Sequence, residues 1–161
     1  MFGAIKKALE NIINLDETEL FIQCVRVPAI TDHIIYLNTF DQLFLGGINT
    51  DGNLIGTYSL VTELIAGNEI FAYGGLTKQK TAGSPYFFYD SGNFIESFQV
   101  RIVKDGFVIT AIDDIEDERF DTLSQKFGKK LIGLTESSKA DLGLKMKPIL
   151  VKIIRTKILT R

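Results

Sequence analysis

The chain has no tryptophan, one cysteine, one histidine and three prolines in 161 residues. With Cys24 alone, no disulfide forms within the chain, and a reducing cytosol is tolerated. His33 and Cys24 supply too few nitrogen and sulfur ligands for a structural zinc site in a single chain. The net charge is -2, so the composition makes no bulk case for nucleic-acid binding, for which a strongly basic total is expected. No window approaches the roughly 20 apolar residues of a membrane span. The opening "MFGAIKKALENIINLDETEL" lacks an apolar core of signal-peptide length. These absences set the expectation of a protein made and folded in the cytosol, without metal, cofactor or membrane.

What is present suits one domain. Hydrophobic residues make up 45% and charged residues 24%, enough apolar material at this length to bury a core unaided. No long linker, low-complexity tract or internal repeat divides the chain. Residues 3–14 carry Ile5, Leu9, Ile12 and Ile13 at helical spacing, which makes 1–30 an N-terminal helical extension. Residues 17–27 read as a helix or a buried strand; a helical Leu20, Cys24, Val27 face is preferred, ended by Pro28. His33 to Leu37 reads as extended, followed by Thr39 as N-cap of a short helix that stops at Gly46-Gly47. Asp51-Gly52 marks a tight turn, and residues 73–86 form an exposed, mobile loop.

Residues 84–111, "SPYFFYDSGNFIESFQVRIVKDGFVITA", hold the most structured signal. Asp90 or Ser91 caps a short helix begun by Gly92, with Phe94 and Phe98 meeting at i, i+4. Gln99–Val103 and Phe107–Ala111 pair across an Asp105-Gly106 turn, and apolar residues on both phases predict a sheet covered on both faces. Residues 120–128 read as a helix ending at Gly128. Residues 136–160 read as a long helix capped near Thr135 to Ser138, with a Leu142, Met146, Ile149, Leu150, Ile153, Ile154 stripe and a kink or break at Pro148. The fold class expected is α+β: a small, mainly antiparallel sheet with an N-terminal amphipathic helix and the long C-terminal helix packed on it.

No enzyme signature survives inspection. Ser91 lacks the Gly-x-Ser-x-Gly elbow, and nothing in the sequence brings the sole His33 to it, so Asp90, Ser91 and Gly92 read as cap and turn. Asp113, Asp114, Glu116, Asp117 and Glu118 lack the alternating ligands and central glycine of a calcium loop and read as a solvated helix start. "LGGI" and "YGGL" are too short and wrongly spaced to cradle phosphate. Charge distribution says more. Residues 139–161 hold Lys139, Lys145, Lys147, Lys152, Arg155, Lys157 and Arg161 against Asp141 alone, a local +6. A protein partner is favoured for this basic helix over a phosphate backbone, since no aromatics interleave and the total is near neutral.

"SPYFFYDSGNFIESFQVRI" resembles a segment of the tail-completion and head–tail joining proteins of tailed bacteriophages. The matching positions are Asp90, Ser91, Gly92, Phe94, Ser97 and the strand Phe98 to Val103. In order with it, "YLNTFDQLFLGGINTDGNLIGTYS" (36–59) and "KFGKKLIGLT" (126–135) are similar to small proteins of phages infecting Bacteroidetes. The resemblance implies a non-enzymatic virion protein, made in the host bacterial cytoplasm. It would assemble as a ring in the neck or upper tail, bound to copies of itself and to portal, connector and tail proteins. Ring closure needs two different flanks; the acidic 113–121 segment and the basic 139–161 helix would supply them. Contact with DNA through that helix, or a small hydrolase or ligand-binding domain, are the alternative functions.

Overall fold

The computed structural model describes residue 10, residues 15–111, residue 127 and residues 129–159. The expected 3–14 and 120–128 helices and the acidic run lie, apart from residues 10 and 127, outside them. The architecture is α+β. Helices α1 (Glu17–Val25) and α2 (Pro28–Tyr36) are followed by a π-helix (Leu37–Gly46), helix α3 (Leu60–Ala66) and strands β1 (Phe71–Tyr73) and β2 (Leu76–Lys78). Then come α4 (Asn93–Glu96), β3 (Phe98–Val103), β4 (Gly106–Ala111), a 3-10 turn (Lys129–Leu131) and α5 (Glu136–Leu159).

The helix reading of 17–27 holds, and Pro28 begins an element as well as ending one. The Asp16 carboxylate accepts from the amides of Thr18 and Glu19 and starts α1. Pro28 then occupies the first turn of α2, where its missing N–H costs nothing. The Thr31 hydroxyl donates 2.7 Å to the Val25 carbonyl, tying the bend between the two helices. The expected extended segment at His33–Leu37 is helical, and Thr39 lies inside the π-helix rather than capping one. Its hydroxyl donates 2.8 Å to the Ile35 carbonyl one turn back, a bond available only within a helix. The stop at Gly46-Gly47 is as expected: Gly47 is left-handed (φ 58°) and its amide donates to the Gln42 carbonyl.

The antiparallel structure is two separate ribbons, not one sheet. β1 and β2 turn through Gly74 and Gly75, both at positive φ, so the expected 73–86 loop contains half a hairpin. It is also tethered. Lys78 Nζ donates 2.6 and 2.9 Å to the Phe44 and Leu45 carbonyls at the end of the π-helix, and Lys80 Nζ sits 2.7 Å from the Asp90 carboxylate. In the second ribbon Val103 pairs with Gly106, so Lys104 and Asp105 are the turn and Gly106 already belongs to β4. Neither Lys104 nor Asp105 has positive φ. The ribbon is covered on one face only. Val100, Phe107 and Ile109 pack inward, Phe107 stacking on Phe21 at 6.1 Å, while Gln99, Arg101 and Val108 face out.

α5 is one helix of 24 residues that runs unbroken through Pro148. Thr135 caps it: its Oγ1 accepts from the Ser138 amide at 3.1 Å. The stripe read from the sequence packs chiefly on α1 and α2, with Leu142 and Met146 buried beside Cys24, Val25, Ile30 and Ile34. A second cluster, Phe40, Phe44, Phe71 and Phe87, is aromatic throughout. Phe88 takes φ 50°, a costly value for an aromatic residue, which sends Phe87 into this cluster and Phe88 into a third one around Leu43, Ile95, Phe98 and Leu131.

Candidate functional site

Asp90, Ser91 and Gly92 form a bend, but the cap expected of the first two is absent. Gly92, at φ 89°, occupies the N-cap of α4, and no side chain bonds there. The Asp90 carboxylate is taken by Lys80, and Ser91 is exposed. Phe94 and Phe98 do meet, edge to face at 5.2 Å, although Phe98 belongs to β3.

His33 finds its polar partner elsewhere. Its Nε2 lies 2.7 Å from Asp141 Oδ2, and the ring stacks on Tyr36. This links α2 to α5. Asp41 lies nearby: burial lifts its carboxyl above the ordinary range and the Asp141 charge adds to the rise, while the Tyr36 phenol and His33 oppose it. Among the described residues no group of three or more His, Cys, Asp or Glu side chains is placed to hold a metal ion. Cys24 is buried, and burial pushes its thiol up, away from the reactive thiolate.

A polar network missed by sequence reasoning lies in the core. Asn38 donates 3.1 Å to the Leu131 carbonyl and accepts 2.8 Å from the Gly133 amide. One turn on, Gln42 donates 2.9 Å to the Gly133 carbonyl and accepts from the Thr135 amide (3.0 Å) and the Ser138 hydroxyl (2.8 Å). Two fully buried carboxamides of the π-helix thus grip the backbone that leads into α5. Each satisfies polar groups that would otherwise be stranded. The arrangement orients the long helix.

The surface separates into two chemical types. On α5, Lys139 pairs with Glu136 and the partly buried Lys157 with Glu19. Lys145, Lys147, Lys152 and Arg155 are exposed and have no ion pair among the described residues. Arg161 and the acidic residues Asp113, Asp114, Glu116, Asp117 and Glu118 lie outside the described residues. The other surface is α3, which buries no residue. Leu60, Val61, Leu64 and Ile65 point outward, and Ile70 follows them at 63% exposure. "SLVTELIAG" carried the signal, a seven-residue apolar helix between a Ser cap and a Gly stop, but apolar residues read from sequence suggest a core. Comparison of the chain with protein-family models, curated proteins and solved structures finds no match.

Proposed function

We propose that the chain is a non-enzymatic structural protein that assembles with copies of itself into a ring in the head–tail connector, neck or upper tail of a tailed phage. Its further partners on this reading are portal, connector and tail proteins, and it resides in the virion. The observation that carries the assembly part of the reading is the set of cations around the exposed side of α5. A single helix holds Lys145, Lys147, Lys152 and Arg155 in solvent, without counter-ions among the described residues. Like charges gathered on one rigid rod repel and weaken the isolated molecule; an acidic surface opposite them removes that repulsion. The ring and its place in the virion come from the resemblance of the 36–59, 84–103 and 126–135 blocks. His33 being engaged by Asp141 and Asp90 by Lys80 also argues against a hydrolase built on Ser91.

Reversing all four residues to glutamate tests this. The expected result is loss of the oligomer in sedimentation with unchanged circular dichroism; an oligomer of unaltered mass would count against the reading. Phosphate contact predicts instead a mobility shift on duplex DNA that weakens steeply as salt rises.

A further inference from the structure

Among the described residues nothing covers the outer face of α3. Leu64 and Ile65 are 73% and 82% exposed, and Leu60, Val61 and Ile70 exceed 60%. Single exposed apolar residues are ordinary, but these five are neighbours in one short segment. Together they present roughly 600 Å² of apolar surface, at the top of the range for a monomer and close to the ~800 Å² one side of a standard interface. A helix of seven residues is also too short to hold itself in water. Its inward ties are few: the half-buried Thr62 and Ala66, and the Glu63 carboxylate accepting 2.8 Å from the Ala82 amide.

A matching surface lies on α5. Leu144, Pro148, Val151 and Arg155 fall in line on the face opposite the buried Leu142 and Met146. Leu144 is 70% exposed and Val151 41%. Lys147 flanks the line on one side, Lys145 and Lys152 on the other. The charges complement as well. Residues 27–77, which contain α3, have Asp32, Asp41, Asp51, Glu63 and Glu69 and not one lysine or arginine; Lys130 pairs with Asp51 and the Ala82 amide holds Glu63, which leaves Asp32 and Glu69 as the exposed acids of the stretch that no described residue engages. Residues 142–161 have six basic residues and no acid. The nearest lysines after α3, Lys78 and Lys80, are engaged internally by the Phe44 and Leu45 carbonyls and by Asp90.

We infer that the apolar face of α3 in one copy docks on the Leu144–Val151 line of α5 in the next, with the exposed Glu69 set toward the flanking lysines. The occupant is a second copy of this chain, because one chain carries both halves of the match. The contact is head to tail, so it propagates and closes into a ring only if its rotation divides a full turn. It rests on the self-assembly reading above and names the surfaces used.

Two variants test it, Leu64→Glu with Ile65→Glu and Leu144→Glu with Val151→Glu, each made in the full chain and run in sedimentation velocity. Each alone is expected to be monomeric, with at least a tenfold weaker association than the unaltered protein. Mixed, they are expected to form a one-to-one heterodimer, since each retains the half the other lost. If the α5 variant still dimerises, α3 pairs with itself and the inference is wrong. A mixture that stays monomeric, or variants that assemble like the unaltered protein, overturn it while leaving self-assembly standing. An unaltered protein that stays monomeric at every concentration overturns both. Where a glutamate pair fails to fold, serine at the same positions gives the same pattern with a smaller shift.

Discussion

Replacing Gln42 with methionine keeps the side chain's length and removes its hydrogen bonds. The carboxamide is 1% exposed and serves three partners, the Gly133 carbonyl, the Thr135 amide and the Ser138 hydroxyl. The hydroxyl keeps a partner, because Thr135 Oγ1 lies 2.9 Å away. The Thr135 amide is left buried and unpaired and the Gly133 carbonyl half-buried and unpaired, at about 1–3 kcal/mol each, so Gln42→Met should lose about 2–5 kcal/mol. Set against the ~5–15 kcal/mol of an ordinary domain, that is a large share. At about 2–4 °C per kcal/mol for a chain of this size, the thermal midpoint should fall by roughly 4–20 °C. Urea unfolding followed by circular dichroism measures the loss, with a lower midpoint and an unchanged slope expected. A loss below about 1 kcal/mol would falsify the idea that this carboxamide anchors the start of α5.

Three further outcomes are expected. Asp41 has a carboxyl raised by burial, so between its unfolded and folded values the native state holds more protons than the unfolded chain. Stability therefore falls as pH rises through that window; Asp41→Asn, which keeps an acceptor for Tyr36, should flatten the fall in a pH series of urea midpoints. Gly47→Ala puts a methyl at a left-handed position and against the Tyr86 carbonyl and the Pro85 ring, and should cost about 2–4 kcal/mol in the same assay. Pro148→Ala restores a donor for the Leu144 carbonyl on the exposed side of an unbroken helix; thermal melts should show a gain of about 1–3 kcal/mol, and a loss would mean that the ring itself is packed.

The parts legible in the sequence were those whose pattern repeats. α5 announced itself through a stripe at 3- and 4-residue steps and a Thr135 cap, and the β3–β4 hairpin through two β-rich runs separated by turn residues. Within 28–46 the helix end at Gly46-Gly47 is legible, but His33–Leu37 reads as extended and Thr39 as a cap because Asn38, Thr39 and Gln42 interrupt the apolar period. They are buried because distant backbone needs them, which no local window reveals. Pro28 reads as a breaker whether it ends one helix or opens another. Asp90 and Ser91 have the chemistry of caps, yet Lys80 claims the first and the left-handed Gly92 occupies the position. Of the two proposed assembly surfaces, the cations of α5 are readable from composition. α3 was not, since only the folded chain distinguishes an apolar helix in the core from one left outside.

The most direct test is the mass of the purified protein in solution, by native mass spectrometry, with particle images of the same sample. A discrete closed oligomer that dissociates when Lys145, Lys147, Lys152 and Arg155 are reversed is the predicted result. A single-chain mass at every concentration, both alone and mixed with portal and tail proteins, contradicts it.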